Sequence, residues 1–149
     1  MKNSPEHTAL WDAYRRTTYL AHTPNGDIRI NPGRRSPALD GLLNERRLRE
    51  WAYLTAYNPA SRKLDKEENV RRQRELIDAV RDRGLAFLEG EGIGADTGWP
   101  AEPSILILGI ESDAARALGR QFGQLAIVVG RAGQPARLVA CAEPMGELD

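Results

Sequence analysis

At 149 residues, with 41% hydrophobic and 28% charged residues and a formal net charge of zero, the chain has the composition of a globular domain with a substantial core. No apolar run approaches the roughly 18 residues of a membrane span. The first ten residues lack the apolar stretch of a signal peptide, so a cytoplasmic location is expected. One cysteine, Cys141, excludes an intrachain disulfide. The whole of 1–149 reads as a single domain, packed over about 13–141 with a loose tail at 142–149.

Ser4-Pro5 followed by Glu6 has the chemistry of a helix start, with Leu10, Trp11 and Tyr14 on one apolar face. Thr17 to Leu20 is β-branched and aromatic, Pro24-Asn25-Gly26-Asp27 is turn chemistry, and Asp27 to Ile30 alternates. A hairpin follows from that pattern. A second helix opens at Ser36-Pro37 and ends near Arg49. Trp51 to Tyr57 reads as a strand, leaving through Asn58-Pro59 with Asn58 extended ahead of the proline. Asp65 and Glu68 form a capping box for a helix that runs to Arg83 and stops at Gly84.

Leu85 to Leu88 predicts a short strand, and GEGIGADTGWPAEP a glycine-rich acidic loop. Ser104 to Ile110 and Leu125 to Val129 are apolar on both faces, as covered strands are. Between them, Ser112-Asp113 caps a helix that stops at Gly123. Ala136 to Ala140 gives a last, outer strand. From Trp51 onward the order is β-α-β-β-α-β. The predicted fold is therefore α+β and ferredoxin-like (βαββαβ), with a mixed, mainly antiparallel sheet and an N-terminal helix-hairpin-helix extension.

Several stretches together carry a resemblance: LTAYNPAS at Leu54–Ser61, the following EENVRRQ, EPS at Glu102–Ser104, and FGQLAIVVG at Phe122–Gly130. They resemble the bacterial family of domain of unknown function 3293, over about Ala13 to Cys141. The resemblance implies a small, cytoplasmic, bacterial single-domain protein and carries no activity with it.

The candidate site rests on two amides in the 65–83 helix. On a wheel of about 100° per residue, Val70, Leu76, Ile77 and Val80 define an apolar arc. Gln73 falls near its centre, and Asn69 also lies within it. A buried glutamine without partners costs roughly 1–3 kcal/mol. Either it ties down the neighbouring 58–64 backbone, or Asn58, Ser61, Asn69 and Gln73 line a polar pocket. Gln124 is the fifth candidate, placed between a helix stop and a covered strand. The ligand expected there is small and polar or anionic, because a helix N-terminus favours such groups.

Other chemistry is poorly supplied. Gly90, Gly92 and Gly94 give G-x-G-x-G, but Glu89, Glu91 and Asp96 would repel a phosphate and no helix follows. His7, His22 and Cys141 lack metal-ligand spacing, so no metal and no cofactor is implied, and no catalytic residue is assigned. From Arg29 to Arg83 there are 14 Lys/Arg against 9 Asp/Glu, and from Gly84 to Asp149 there are 4 against 9. That asymmetry offers an alternative, a protein or RNA interaction module using the basic 29–83 surface, or a homo-oligomer. Two strands apolar on both faces argue against an open sheet for stacking bases, so nucleic acid is the weaker partner.

Overall fold

The computed structural model describes residues 5–95 and 100–142, the side chains of residues 5–7 apart. The Ser4 cap, the tail from Glu143 and positions 96–99 of the glycine-rich stretch lie outside the described residues. Among the described residues four α-helices, α1 (Pro5–Arg16), α2 (Pro37–Glu45), α3 (Lys66–Asp82) and α4 (Ser112–Gln121), accompany seven strands. These are β1 (Thr18–Thr23), β2 (Gly26–Ile30), β3 (Glu50–Leu54), β4 (Ala86–Ile93), β5 (Glu102–Leu108), β6 (Ala126–Arg131) and β7 (Arg137–Ala140). No helix among the described residues is long and apolar enough to cross a membrane.

The caps behave as their chemistry dictates. Ser36 Oγ accepts from the Leu39 amide at 3.2 Å, and Asp65 Oδ1 accepts from the Glu68 amide at 2.8 Å. α4 differs from expectation. Its cap position is Glu111, and no side-chain cap bond is made there.

The strands form one sheet in the order β2-β1-β4-β5-β3-β6-β7, antiparallel at every named pairing rather than mixed. A parallel bridge from Pro32 to Ala136 brings the end of β2 to the start of β7. The Gly33 amide donates to Ala136 O at 2.7 Å there, and the Ala136 amide to Arg34 O at 2.9 Å. The two outer strands therefore meet at one point and the sheet is curled. The N-terminal hairpin is part of this sheet, since β1 pairs along β4.

Alternation then divides the core. Ala52, Leu54, Ile105, Ile107, Ile127 and Val129 face α3 and α4, which bring Leu76, Val80, Ala115 and Leu118. Trp51, Tyr53, Leu106, Leu108, Val128 and Leu138 face the concave side, where Leu39 and Leu43 of α2 join them. Strand residues that are buried on both faces read as continuous apolar runs for this reason.

The glycine-rich stretch is the main correction to the predicted elements. β4 runs on to Ile93, so Gly90 and Gly92 sit in a strand between β1 and β5 rather than in a loop. The cause is steric: a Cβ built on Gly90 would stand 1.8 Å from Leu20 O of the paired strand. Gly90 admits a close neighbouring backbone.

Gly90→Ala is accordingly expected to lower folding stability by about 1–3 kcal/mol, the range for overpacking. Gly41→Ala, where nothing lies within 4 Å of the added carbon, should raise it by about 0.5–1 kcal/mol. Urea denaturation of the two variants beside the wild type checks both signs.

Candidate functional site

β3 ends three residues earlier than its pattern predicts, and what replaces the ladder is a set of side chains. The Ala56 amide donates to Gln73 Oε1 at 2.8 Å, the Tyr57 amide to Thr55 Oγ1 at 3.0 Å, and the Asn58 amide to Asn69 Oδ1 at 2.8 Å. Three successive backbone donors leaving the sheet are thus satisfied locally. Arg72 Nε donates to Ala56 O at 3.0 Å, and the same guanidinium reaches Phe122 O. The Ala60 amide donates to Gly123 O at 2.7 Å, docking the loop on the end of α4.

Asn58 is not extended. It stands at φ 47°, ψ 63°, and Ala60 and Ser61 are also left-handed, at φ 53° and 59°. Asparagine tolerates this region, and its side chain is held on both sides. Asn58 Oδ1 accepts from Asn69 Nδ2 at 2.8 Å and from the Leu64 amide at 3.0 Å, while Asn58 Nδ2 donates to Glu102 Oε2 at 2.7 Å.

Beside this loop, on the concave side of the sheet, lies a cavity of about 400 Å³ roofed by α1. All four tyrosines of the chain, Tyr14, Tyr19, Tyr53 and Tyr57, line it. Tyr19 and Tyr53 meet edge to face, with ring centroids 5.2 Å apart. Arg16 and Thr17, Glu102 and Ser104 at the start of β5, Thr55, and the expected Asn58, Ser61 and Gln124 supply the rest of the polar wall. Ser61 Oγ and the Tyr14 hydroxyl share a hydrogen bond of 2.7 Å. Gln124 Nε2 donates to Tyr57 O at 3.1 Å.

The five candidate residues therefore divide. Asn58, Ser61 and Gln124 line the cavity, while Asn69 and Gln73 are buried behind it and hold the loop that forms its wall. Asn58 joins the two groups. The tyrosines, Glu102, Ser104 and Thr55 carry no such mark in the sequence.

Residues 54–127 match the model of a family described as protein of unknown function, DUF3293. Over that stretch the chain belongs to this family. No curated protein and no solved structure matches the chain. The DUF3293 stretch contains the whole clamp and one side of the cavity, from Thr55 to Gln124. The facing wall, Tyr14 and Tyr19 with Tyr53 and Leu138, lies outside it.

Burial raises the pKa of all four phenols above the usual tyrosine value, and the Glu102 carboxylate adds to the shift for Tyr14, Tyr19 and Tyr57. They are neutral hydrogen-bonding walls at neutral pH, not bases.

Two outcomes are expected. Asn69→Leu leaves the Asn58 amide without its partner in a buried position and should cost about 1–3 kcal/mol of stability. Amide hydrogen exchange at Asn58 should accelerate with it, and an unchanged rate would show that Asn69 does not hold the loop. The second concerns pH. The folded state keeps the phenols protonated to higher pH than the unfolded chain does, so their contribution is complete below about pH 10 and is lost as pH rises through the folded values. Alkaline titration followed at the phenolate absorbance should therefore show the Tyr19 and Tyr53 signals emerging only with unfolding. Early ionisation in the folded protein would contradict it.

Proposed function

We propose that the protein binds a small polar ligand in the tyrosine-lined cavity, with Asn58, Ser61 and Gln124 as contact residues and Asn69 and Gln73 as the clamp that shapes its wall. One observation carries this reading: an apolar concavity of about 400 Å³ with a few convergent polar groups has the size and character of a ligand site. Left-handed backbone at Asn58, Ala60 and Ser61 agrees with it, since strained segments gather at such walls. The order β4-β5-β3-β6, with α3 and α4 packed on the same face, supports reading the centre of the single domain as ferredoxin-like.

The alternative, a basic 29–83 docking surface, is weaker on two counts. Arg71 pairs with Glu68 and Glu75, and Arg72 is turned inward onto Ala56 O and Phe122 O. Trp51 and Tyr53 are 3% and 2% exposed, leaving their faces no room to stack a base. Arg34, Arg46, Arg47 and Arg62 remain exposed.

A thermal-shift screen of small molecules of mixed charge decides between them, since a ligand that binds only the folded state raises Tm by mass action. Binders should stabilise the wild type, lose most of that effect in Gln124→Leu, and keep it when Arg46, Arg47 and Arg62 are changed together to alanine. Stabilisation that survives Gln124→Leu and vanishes with the arginines would favour the surface instead.

A further inference from the structure

The hydrogen bonds of the cavity wall run mostly one way: Tyr14 and Ser61 share a single bond that leaves one proton of the pair over, but most of the other lining hydroxyls are spent as donors. Five lining hydroxyls donate their protons to backbone carbonyls. Thr17 gives to Ala13 O at 2.8 Å and Tyr19 to Tyr14 O at 2.8 Å. Tyr53 gives to Leu20 O at 2.6 Å, Thr55 to Pro103 O at 2.6 Å and Ser104 to Glu102 O at 3.0 Å. The two lining amides also donate: Asn58 Nδ2 to the Glu102 carboxylate at Oε2, and Gln124 Nε2 to the Tyr57 carbonyl. Those assignments orient Gln124 with its oxygen as the remaining polar end. The backbone amides of Ala56, Tyr57 and Asn58 are committed within the clamp.

What such groups still offer is lone pairs. A hydroxyl that has donated retains acceptor capacity, and a carboxylate has about four acceptor sites. Among the described lining residues Glu102 is the only carboxylate and Arg16 the only cation. Arg16 is exposed, where solvent screens it, while Glu102 is half-buried at the foot of the tyrosine walls. Aromatic faces favour a cation as well. The helix N-terminus that would favour an anion is turned elsewhere, since Asp65 caps it and no residue of α3 lines the cavity.

Resting on the ligand-site reading above, we propose that the cavity takes a small organic cation bearing N–H donors, an alkylammonium or a guanidinium compound, with Glu102 as its counter-charge. Its N–H groups meet the carboxylate, Gln124 Oε1 and the phenol and hydroxyl oxygens, while its alkyl body lies against Ala126, Val128 and Leu138. A carboxylate or phosphate of the same size finds few donors and a like charge.

Calorimetry with agmatine, butylamine, butyramide and butyrate on the full chain tests this. Agmatine and butylamine should bind and butyrate should not. Glu102→Gln keeps an oxygen for Asn58 while it removes the charge and exchanges the other oxygen for an amide donor. It should weaken the cations by about tenfold or more, as loss of a charged hydrogen bond does. Should that variant fail to fold, Tyr57→Leu removes an aromatic wall without touching the Glu102 bond and should weaken them too. Butyrate or butyramide binding as tightly as the cations, or cations indifferent to both variants, overturns the cation assignment. If neutral or anionic molecules from the mixed screen then stabilise the wild type through Gln124, the ligand site stands and only its charge preference falls. If no molecule of any charge does so, both readings fall together.

Discussion

The structure depends on how the chain leaves the sheet after Leu54. A strand that ends inside a packed protein leaves backbone donors that water cannot reach, and each bare one costs about 1–3 kcal/mol. Here Gln73 and Asn69, one helical turn apart on α3, take the Ala56 and Asn58 amides. Each hydrogen bond is modest, about 0.5–1.5 kcal/mol net. Together they fix where β3 stops, how α3 is seated and which way the loop turns. A left-handed non-glycine residue costs roughly 1–2 kcal/mol. Asn58, Ala60 and Ser61 hold that conformation next to one another because the surrounding contacts determine it.

Curling of the sheet supplies the rest. Its concave side is filled at one end by Leu39 and Leu43 of α2, packed among Trp51, Leu106 and Leu108. Trp51 lies flat over Gly130, where an added Cβ would stand 2.4 Å from the indole. Toward the other end the same inward positions carry Tyr53, Tyr19 and Ser104. Their hydroxyls need oxygen partners, which aliphatic packing cannot provide. They find them in backbone carbonyls, and the space beside the rings stays open. The change from core to cavity thus follows a change in side-chain chemistry along continuous strands.

The arginines show why charge counts in a sequence are a poor guide to a surface. Arg71 and Arg72 are neighbours in the chain with opposite fates. Arg71 is exposed and bridges two glutamates on its own helix. Arg72 points inward and uses its fork on two carbonyls from different segments, which suits its planar donors.

Local chemistry alone determined a good deal. Serine and aspartate caps, the proline and glycine stops, and the two doubly apolar runs define most elements, because these signals act within a few residues. The misplacement of Gln73 and Asn69 in an apolar arc marked them as buried amides with partners to find. Three things lay beyond that reach. Gly90 and Gly92 look like loop glycines until β1 is laid against them, and only the approach of Leu20 shows why a side chain is excluded at Gly90. Asn58 reads as extended before proline, and becomes left-handed only through contacts with Asn69, Leu64 and Glu102. Tyr14, Tyr19, Tyr53 and Tyr57 are far apart in sequence and meet because the sheet curls under α1. Burial and periodicity are properties of a segment, and the sequence carries them. A cavity belongs to the space between segments, so only the tertiary structure decides it.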